Sequence, residues 1–388
     1  MNNPRCFLAG AQRAIMSRIY VALAVLAFSA ATGPAFAAEI VVGQVGPMSG
    51  LDASQGRAYA VGMQLYFNAL NKAGGINGHT FTLLRKDDGG RPENTVELTR
   101  KMIAEDQPMV LAGYFGNKNI ADLVASGLLE NNKIALVGYR TSEIRADVPY
   151  LYSVRAGLRE EINKLVAHLA TVGITRLGIL YEAGAGSAVL LEAVDDAVKK
   201  VKATITVRAS YPANTASVSS AVDTLIQQQP QAIIMIASGA ATAAFIEKYR
   251  VGGGSAQLLS HSGADIEQLS KRLADEQIQG VAIAQVTPSP YKVSSRLVKE
   301  FTDTAAGAAN LEVPVSYAMI EGYLTARVVS EAVRRQGRSP SRAGIVLALD
   351  GMSSFDPGGY LISFKPGHRN GSNFVELSIV SSAGKIRQ

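Results

Sequence analysis

The chain has 388 residues, 47% of them apolar and 18% charged, with a formal net charge of +6 and a single cysteine, Cys6. Arg5, Arg13 and Arg18 are the only charged residues before position 38, so the remainder carries 35 basic against 32 acidic side chains, a net +3. That balance is too even for a nucleic-acid-binding surface. With Cys6 also in the leading segment, the rest has no disulfides or thiolate metal sites to draw on, and apolar packing has to supply its stability.

Arg18 is followed by an apolar run over 19–28, too short with its flanks to span a bilayer, and then by Ala35-Phe36-Ala37. This pattern predicts a cleavable signal peptide over 1–37, with Met16 as an alternative start and cleavage before Ala38. The expected product is an exported chain of 351 residues, the 388 less those 37, with no further stretch apolar enough to cross a membrane.

Residues 39–45 read as a strand that ends in the turn-rich loop Gly46-Pro47-Met48-Ser49-Gly50. A helix is predicted over 56–72, striped by Tyr59, Met63, Tyr66 and Leu70 and stopped at Gly74-Gly75. A second strand over 80–85 and a helix running from Pro92 to 105 follow, with Asp87-Asp88-Gly89-Gly90 between them. Two apolar runs then each stop at a glycine, a tyrosine and polar residues: Met109-Val-Leu-Ala-Gly-Tyr-Phe-Gly-Asn-Lys-Asn119 and Ile134-Ala-Leu-Val-Gly-Tyr-Arg-Thr-Ser142. Each reads as a buried parallel strand, with a helix over 120–131 between them. Loops leaving such strands lie at the carboxyl edge of the sheet, where open α/β folds bind ligands, and unpaired helix amides there suit an anion.

Residues 150–155 read as an extended crossing, after which the alternation starts afresh. Helices are predicted over 160–172, 188–200, 218–228 and 241–249, and strands over 176–181, 204–211, 232–237, 257–260 and 281–286. Thr287-Pro-Ser-Pro290 is a stiff second crossing, followed by helices over 294–306 and 315–336 and a Gly- and Pro-punctuated, strand-like segment over 358–380. The fold class is α/β, two parallel sheets flanked by helices and joined as a hinged clamshell.

At this point the residues resemble a known family. Gly46-Pro47-x-Ser49-Gly50, Asn71-x-x-Gly74-Gly75-Ile76-Asn77-Gly78, and Asp87-Asp88 with Pro92 downstream are similar to the type I periplasmic binding proteins, nearest to the leucine/isoleucine/valine-binding proteins of ABC importers. The resemblance implies two Rossmann-like lobes, a three-crossover hinge, a small-molecule solute in the cleft, and delivery to a permease and ATPase of the inner membrane. It also implies lobe 1 from 39–154 plus 288–366 and lobe 2 from 155–287 plus 367–388. By the same resemblance Asn117 stands where amino-acid binders use a serine on the ligand carboxylate, and Thr141 keeps a hydroxyl role, while Arg140 is new. Ser262 falls where relatives place an acid for the ligand ammonium. Gln55 and Ala185-Gly186 replace expected aromatics. Burying an ammonium without an anion is costly, which favours an apolar or aromatic carboxylate, with a branched-chain amino acid close behind. Asp265 and Glu182 are alternative acids, capping and a solvated loop being their plainer roles. A ligand sensor of the same fold, signalling to a membrane receptor, is the alternative function.

The remaining candidates rest on position. Tyr114, Tyr139 and Tyr181 follow predicted strand ends and either line the cleft or pack between loops. Arg140 is either a guanidinium fork for a carboxylate or a surface partner of Glu143. Phe115 is a candidate whose plainer role is packing, and Ser238 is a second-lobe contact. No G-x-S-x-G elbow or P-loop occurs, and Gly184-Ala185-Gly186-Ser187 lacks the third glycine of a dinucleotide loop. His79, His168, His261 and His368 are scattered without ligand spacing, and Asp87-Asp88 is placed for capping. No catalyst, metal or cofactor is expected.

Overall fold

The computed structural model describes residues 39–145, 147–213 and 215–381, with the backbone of 386–387. The signal peptide expected over 1–37 lies outside the described residues.

Two sheets organise the chain. The first is parallel throughout, in the order β2-β1-β3-β4-β5, from β1 (Glu39–Gly46), β2 (Thr80–Asp87), β3 (Val110–Phe115), β4 (Leu136–Arg140) and β5 (Leu151–Tyr152). Its helices are α1 (Ala53–Lys72), α2 (Pro92–Glu105), α3 (Asn117–Ala125) and the single turn α4 (Leu128–Asn131). The second has the order β12-β11-β10-β9-β8-β6-β7. There β6 (Arg176–Ala183), β7 (Thr204–Pro212), β8 (Ala232–Ile236), β9 (Gln257–Ser260) and β10 (Ala282–Gln285) are parallel, and β11 (Glu376–Val380) and β12 (Ile386–Arg387) return antiparallel. Its helices are α5 (Leu158–Thr171), α6 (Ser187–Lys200), α7 (Ser219–Gln228), α8 (Gly239–Val251), α9 (Ile266–Arg272) and α10 (Asp275–Ile278).

Three more helices, α11 (Arg296–Ala306), α12 (Tyr317–Gln336) and α13 (Arg342–Asp350), pack on the first sheet although they follow β10 of the second in sequence. The α1–α12 crossing depends on glycine. A Cβ on Gly62 would stand 1.9 Å from the Met319 carbonyl oxygen, and one on Gly322 would stand 2.0 Å from that of Tyr59. Only hydrogen side chains let the two backbones approach this closely.

The central strands β3, β4, β8 and β10 are buried along their whole length and read as near-continuous apolar runs, whereas the outer strands β2 and β7 alternate with exposed polar residues. Val110, Ala112, Phe115 and Val137 face the core under α1 and α12. Leu111, Tyr114, Leu136 and Tyr139 face the opposite core under α2 and α3, the two-residue alternation shifting by one position at Gly113 and Gly138, which both have positive φ.

The chain passes between the halves three times, and the passages are tied together. Ser153 N donates to the Arg369 carbonyl at 2.9 Å, and Gly371 N donates to the Ser153 carbonyl at 2.7 Å. The Tyr360 hydroxyl lies 3.1 Å from the Val154 carbonyl and 2.7 Å from that of Val286.

Several predicted elements differ. The helix expected over 120–131 begins at Asn117 and breaks at Gly127, whose φ of 69° is left-handed. The α13 helix was not anticipated; its sequence is almost wholly apolar and lacks a polar face to set a period, although Ser341 caps it by accepting from Gly344 N at 3.1 Å. Of the strand-like segment over 358–380 only Glu376–Val380 joins a sheet, the part before it making isolated bridges such as Phe355–Ile362.

Candidate functional site: the cleft between the halves

A cleft of about 230 Å³ opens at the carboxyl ends of the strands, where both halves contribute loops. The loop after β1 and the first turn of α1 bring Pro47, Asp52 and Gln55 to it. That loop is anchored by Asp87, whose carboxylate accepts from the amides of Met48 at 2.9 Å and Ser49 at 3.1 Å. Asp88 accepts instead from Gly90 N and the Thr95 hydroxyl, at 2.8 and 2.6 Å. Neither acid caps α2 in the manner expected, because the residue before that helix is Arg91.

The loop after β3 brings Phe115, Gly116 and Asn117. Gly116 has a φ of 101°, and a Cβ there would run into the Asn119 side chain, so glycine is required for the turn from strand to helix. Asn117 is the first residue of α3, and its Oδ1 accepts from the Thr141 hydroxyl at 2.7 Å and from Ser142 N at 2.8 Å. With Oδ1 occupied, the Asn117 side chain has only its Nδ2–H groups to offer a guest. Thr141 lines the cleft as well, but its hydroxyl proton is committed to Asn117.

Arg140 ends β4 and lines the cleft. It donates to Gln55 Oε1 and toward the Ser262 carbonyl at 3.5 Å, and it stacks over Phe115 with 5.6 Å from Cζ to the ring centroid. The alternative pairing with Glu143 is not formed; Arg145 takes that carboxylate at 2.6 Å. Arg140 faces Glu321 instead, Nε to Oε2 at 3.4 Å, and Arg155 from the first crossing reaches the same oxygen at 3.7 Å. Arg155 also donates to Glu161 Oε1 at 2.8 Å and to the Ser262 hydroxyl. Glu161 and Glu321 are each only 1% exposed. Burial works against the Arg155 charge, and Glu321 and Glu161 more than offset it, so its pKa lies above the ordinary arginine value. Two buried cations and two buried anions thus form one neutral cluster across the hinge.

The second half contributes Glu182 at the end of β6, Thr215, Ser238 with Gly239 and Ala240 after β8, and Gly263. Ser238 caps α8, accepting from Ala241 N at 3.3 Å. Gln55 Nε2 donates across the gap to the Gly263 carbonyl at 3.4 Å. His261, just behind, is held neutral by burial, its Nε2 3.1 Å from the Ala237 carbonyl and its Nδ1 accepting from Gly263 N.

Of the sequence candidates, Gln55, Phe115, Asn117, Arg140, Thr141 and Ser238 come together around the cleft. Four do not. Tyr114 is fully buried in the core under α2, its hydroxyl 3.1 Å from that of Thr99. Tyr139 is buried in the same core and Tyr181 packs against the core under α5 and α6. Tyr181 follows the strand alternation of Leu177 and Ile179, whereas Tyr114 and Tyr139 are turned into the core where Gly113 and Gly138, each with positive φ, shift that alternation by one position. Ser262 is buried behind the surface, its amide donating to Glu161 at 2.7 Å, so it supports the charge cluster and does not face the gap. Asp52 and Arg155 line the cleft without having been singled out. Burial raises the Asp52 pKa, against the opposing pull of Arg140. An arginine in the extended crossing just before Glu160-Glu161 was the one available signal for Arg155. Among the described residues no group of three or more His, Cys, Asp or Glu side chains is placed to hold a metal.

Two such halves closing strand tips over a polar gap match a known architecture. The sequence profile of the periplasmic binding proteins matches residues 39–383. The chain belongs to this family. The binding-protein fold agrees with solved structures along nearly the whole described chain. A substrate-binding periplasmic protein from Ralstonia solanacearum is 36% identical with a TM-score of 0.84, covering 90% of this chain and 99% of that one. Leu/Ile/Val-binding protein homolog 8 of Brucella suis biovar 1 is 23% identical over 372 residues, 90% of this chain and 89% of its own. A branched-chain amino acid transporter substrate-binding protein from Streptococcus pneumoniae, solved with isoleucine, shares the fold at a TM-score of 0.75 and 16% identity, covering 90% of this chain and 98% of that one. Within this binding-protein frame, the charged cluster sits at the hinge and the cleft opens away from it.

Proposed function

We propose that the chain is the solute-binding component of an ABC importer of the branched-chain-amino-acid type. It acts in the periplasm after loss of residues 1–37, and its solute is small and carries a carboxylate. Binding is its whole activity. In this reading 39–154 with 288–366 form the lobe that first receives the solute, and 155–287 with 367–388 form the lobe that closes over it. The closed form is then offered to the membrane permease and its ATPase. Closure follows because the solute touches both lobes, and a ligand shifts an equilibrium only by favouring one state.

The observation that carries the reading is Arg140, a buried arginine at a strand tip that lines the cleft together with Gly116 and Asn117 at the start of α3. A carboxylate there gains a charge-assisted fork together with helix amides. Ser238 and Glu182 meet the other end of the solute, and Gln55, Phe115 and Thr141 shape the walls. The name of the Brucella relative and the isoleucine held by the pneumococcal structure support a solute of amino-acid or related acid type.

The test is thermal shift and calorimetry over amino acids, amides, and aliphatic and aromatic acids, using wild type and Arg140→Lys. A bound carboxylate raises Tm, and the lysine variant, which keeps the charge but loses the fork, binds about tenfold more weakly. A folded Arg140→Lys protein with unchanged Kd, or a preference for an uncharged solute, would sink the reading.

A further inference from the structure

Past Asn117 the cleft meets a second space of about 320 Å³, which shares Asn117, Ser142 and Glu182 as walls with the Arg140 compartment. The two are built differently. The first is lined by Asp52, Arg140 and Arg155. The second has a floor of Leu190 and Ile236, and its outer wall is Ala183-Gly184-Ala185-Gly186, a stretch with no side chain larger than a methyl. The charged groups at its rim already have partners: Lys118 with Asp122 at 2.6 Å, Glu143 with Arg145 at 2.6 Å, and Glu182 with the Tyr211 hydroxyl at 3.1 Å. This leaves an apolar floor with a satisfied rim, a surface suited to hydrocarbon. An apolar cavity of roughly 150 Å³ accommodates benzene, and this space is about twice that size. A branched-chain amino acid held by its carboxylate at Arg140 leaves most of it unfilled.

We infer that the solute is an elongated amphipathic acid, its carboxylate at Arg140 and its apolar tail, longer than the side chain of leucine, lying over Leu190 and Ile236. The inference rests on the reading of Arg140 as the carboxylate partner. Selectivity then comes from the smallness of the Ala183–Gly186 stretch, which keeps the second space open, and Ala185 is the residue that sets the tail length admitted.

The experiment is calorimetry with the straight-chain carboxylates from butanoate to decanoate and with leucine, on wild type, Ala185→Trp and Ala121→Phe. Ala185 is exposed on its loop and Ala121 lies on the facing wall from α3, so the two substitutions fill the space from opposite sides without touching a core. In wild type, affinity rises roughly threefold to fourfold per added CH₂ until the space is full, and leucine binds more weakly than the longer acids. Both variants abolish the gain with length and leave butanoate unchanged. Affinity that is flat with chain length, leucine as the tightest ligand, or long acids indifferent to both variants overturns this inference and leaves the carboxylate reading standing. Failure of every carboxylate to bind overturns both.

Discussion

The hinge end of the cleft and its outer end lie against the same two loops and use opposite means. At the hinge, Arg140, Arg155, Glu161 and Glu321 are buried together, and each charge is tolerable only because of the others. At the outer end, alanines and glycines leave room. A cluster of mutually dependent charges tolerates little change, whereas a wall of methyl groups can be altered one residue at a time. Fixed geometry therefore belongs at the hinge end of the cleft, and variability at its outer end.

Glu321→Gln attacks the fixed end most directly. It leaves Arg140 without its carboxylate and Arg155 with Glu161 alone, both arginines being buried, and urea unfolding is expected to show a loss of about 3–5 kcal/mol. A loss under about 1 kcal/mol would mean that Glu321 does not serve both arginines. A smaller effect is expected at Asp265, which is half-buried beside another acid, Glu267. Burial first, and Glu267 second, push its pKa up to about 7. Folding therefore favours the protonated form. The stability this group contributes is fully present below about 4, the ordinary aspartate value, and is lost as pH rises to about 7. Asp265→Asn, which can still accept from Gln268 N, should flatten that part of the stability–pH curve; an unchanged slope would assign it to another group. The least effect is expected from Tyr114→Phe. It removes the bond to Thr99, costs about 1 kcal/mol of stability and leaves solute affinity unchanged. A fall in affinity would return that tyrosine to the cleft.

Much of this organisation is legible in the chain because strand and helix periods are local. The apolar runs ending at Gly113-Tyr114 and Gly138-Tyr139 become β3 and β4, and the loops that follow them reach the cleft at Asn117 and Arg140. Which way a residue at a strand tip turns depends on the pleat, and a shift of one position separates Tyr139, in the core, from Arg140, in the cleft. The charge cluster was less accessible still. Its members come from β4, the first crossing, α5 and α12, and only the folded topology makes neighbours of Arg140 and Glu321. Ser262, which stands where an ammonium partner is expected, is explained by the same cluster, since it is already bonded to Arg155 and Glu161.

The glycine-lined crossing of α1 and α12 has a consequence for the order of events during synthesis. The first sheet is complete by residue 152, but the helical layer that covers one of its faces is not delivered until residue 336. Until then Ile40, Val42, Ala112 and Val137 have no cover from α12, and the early half of the chain has little to gain by collapsing into native form. A polypeptide whose opening segment must wait for one almost two hundred residues later stays uncommitted to its fold for most of its time on the ribosome.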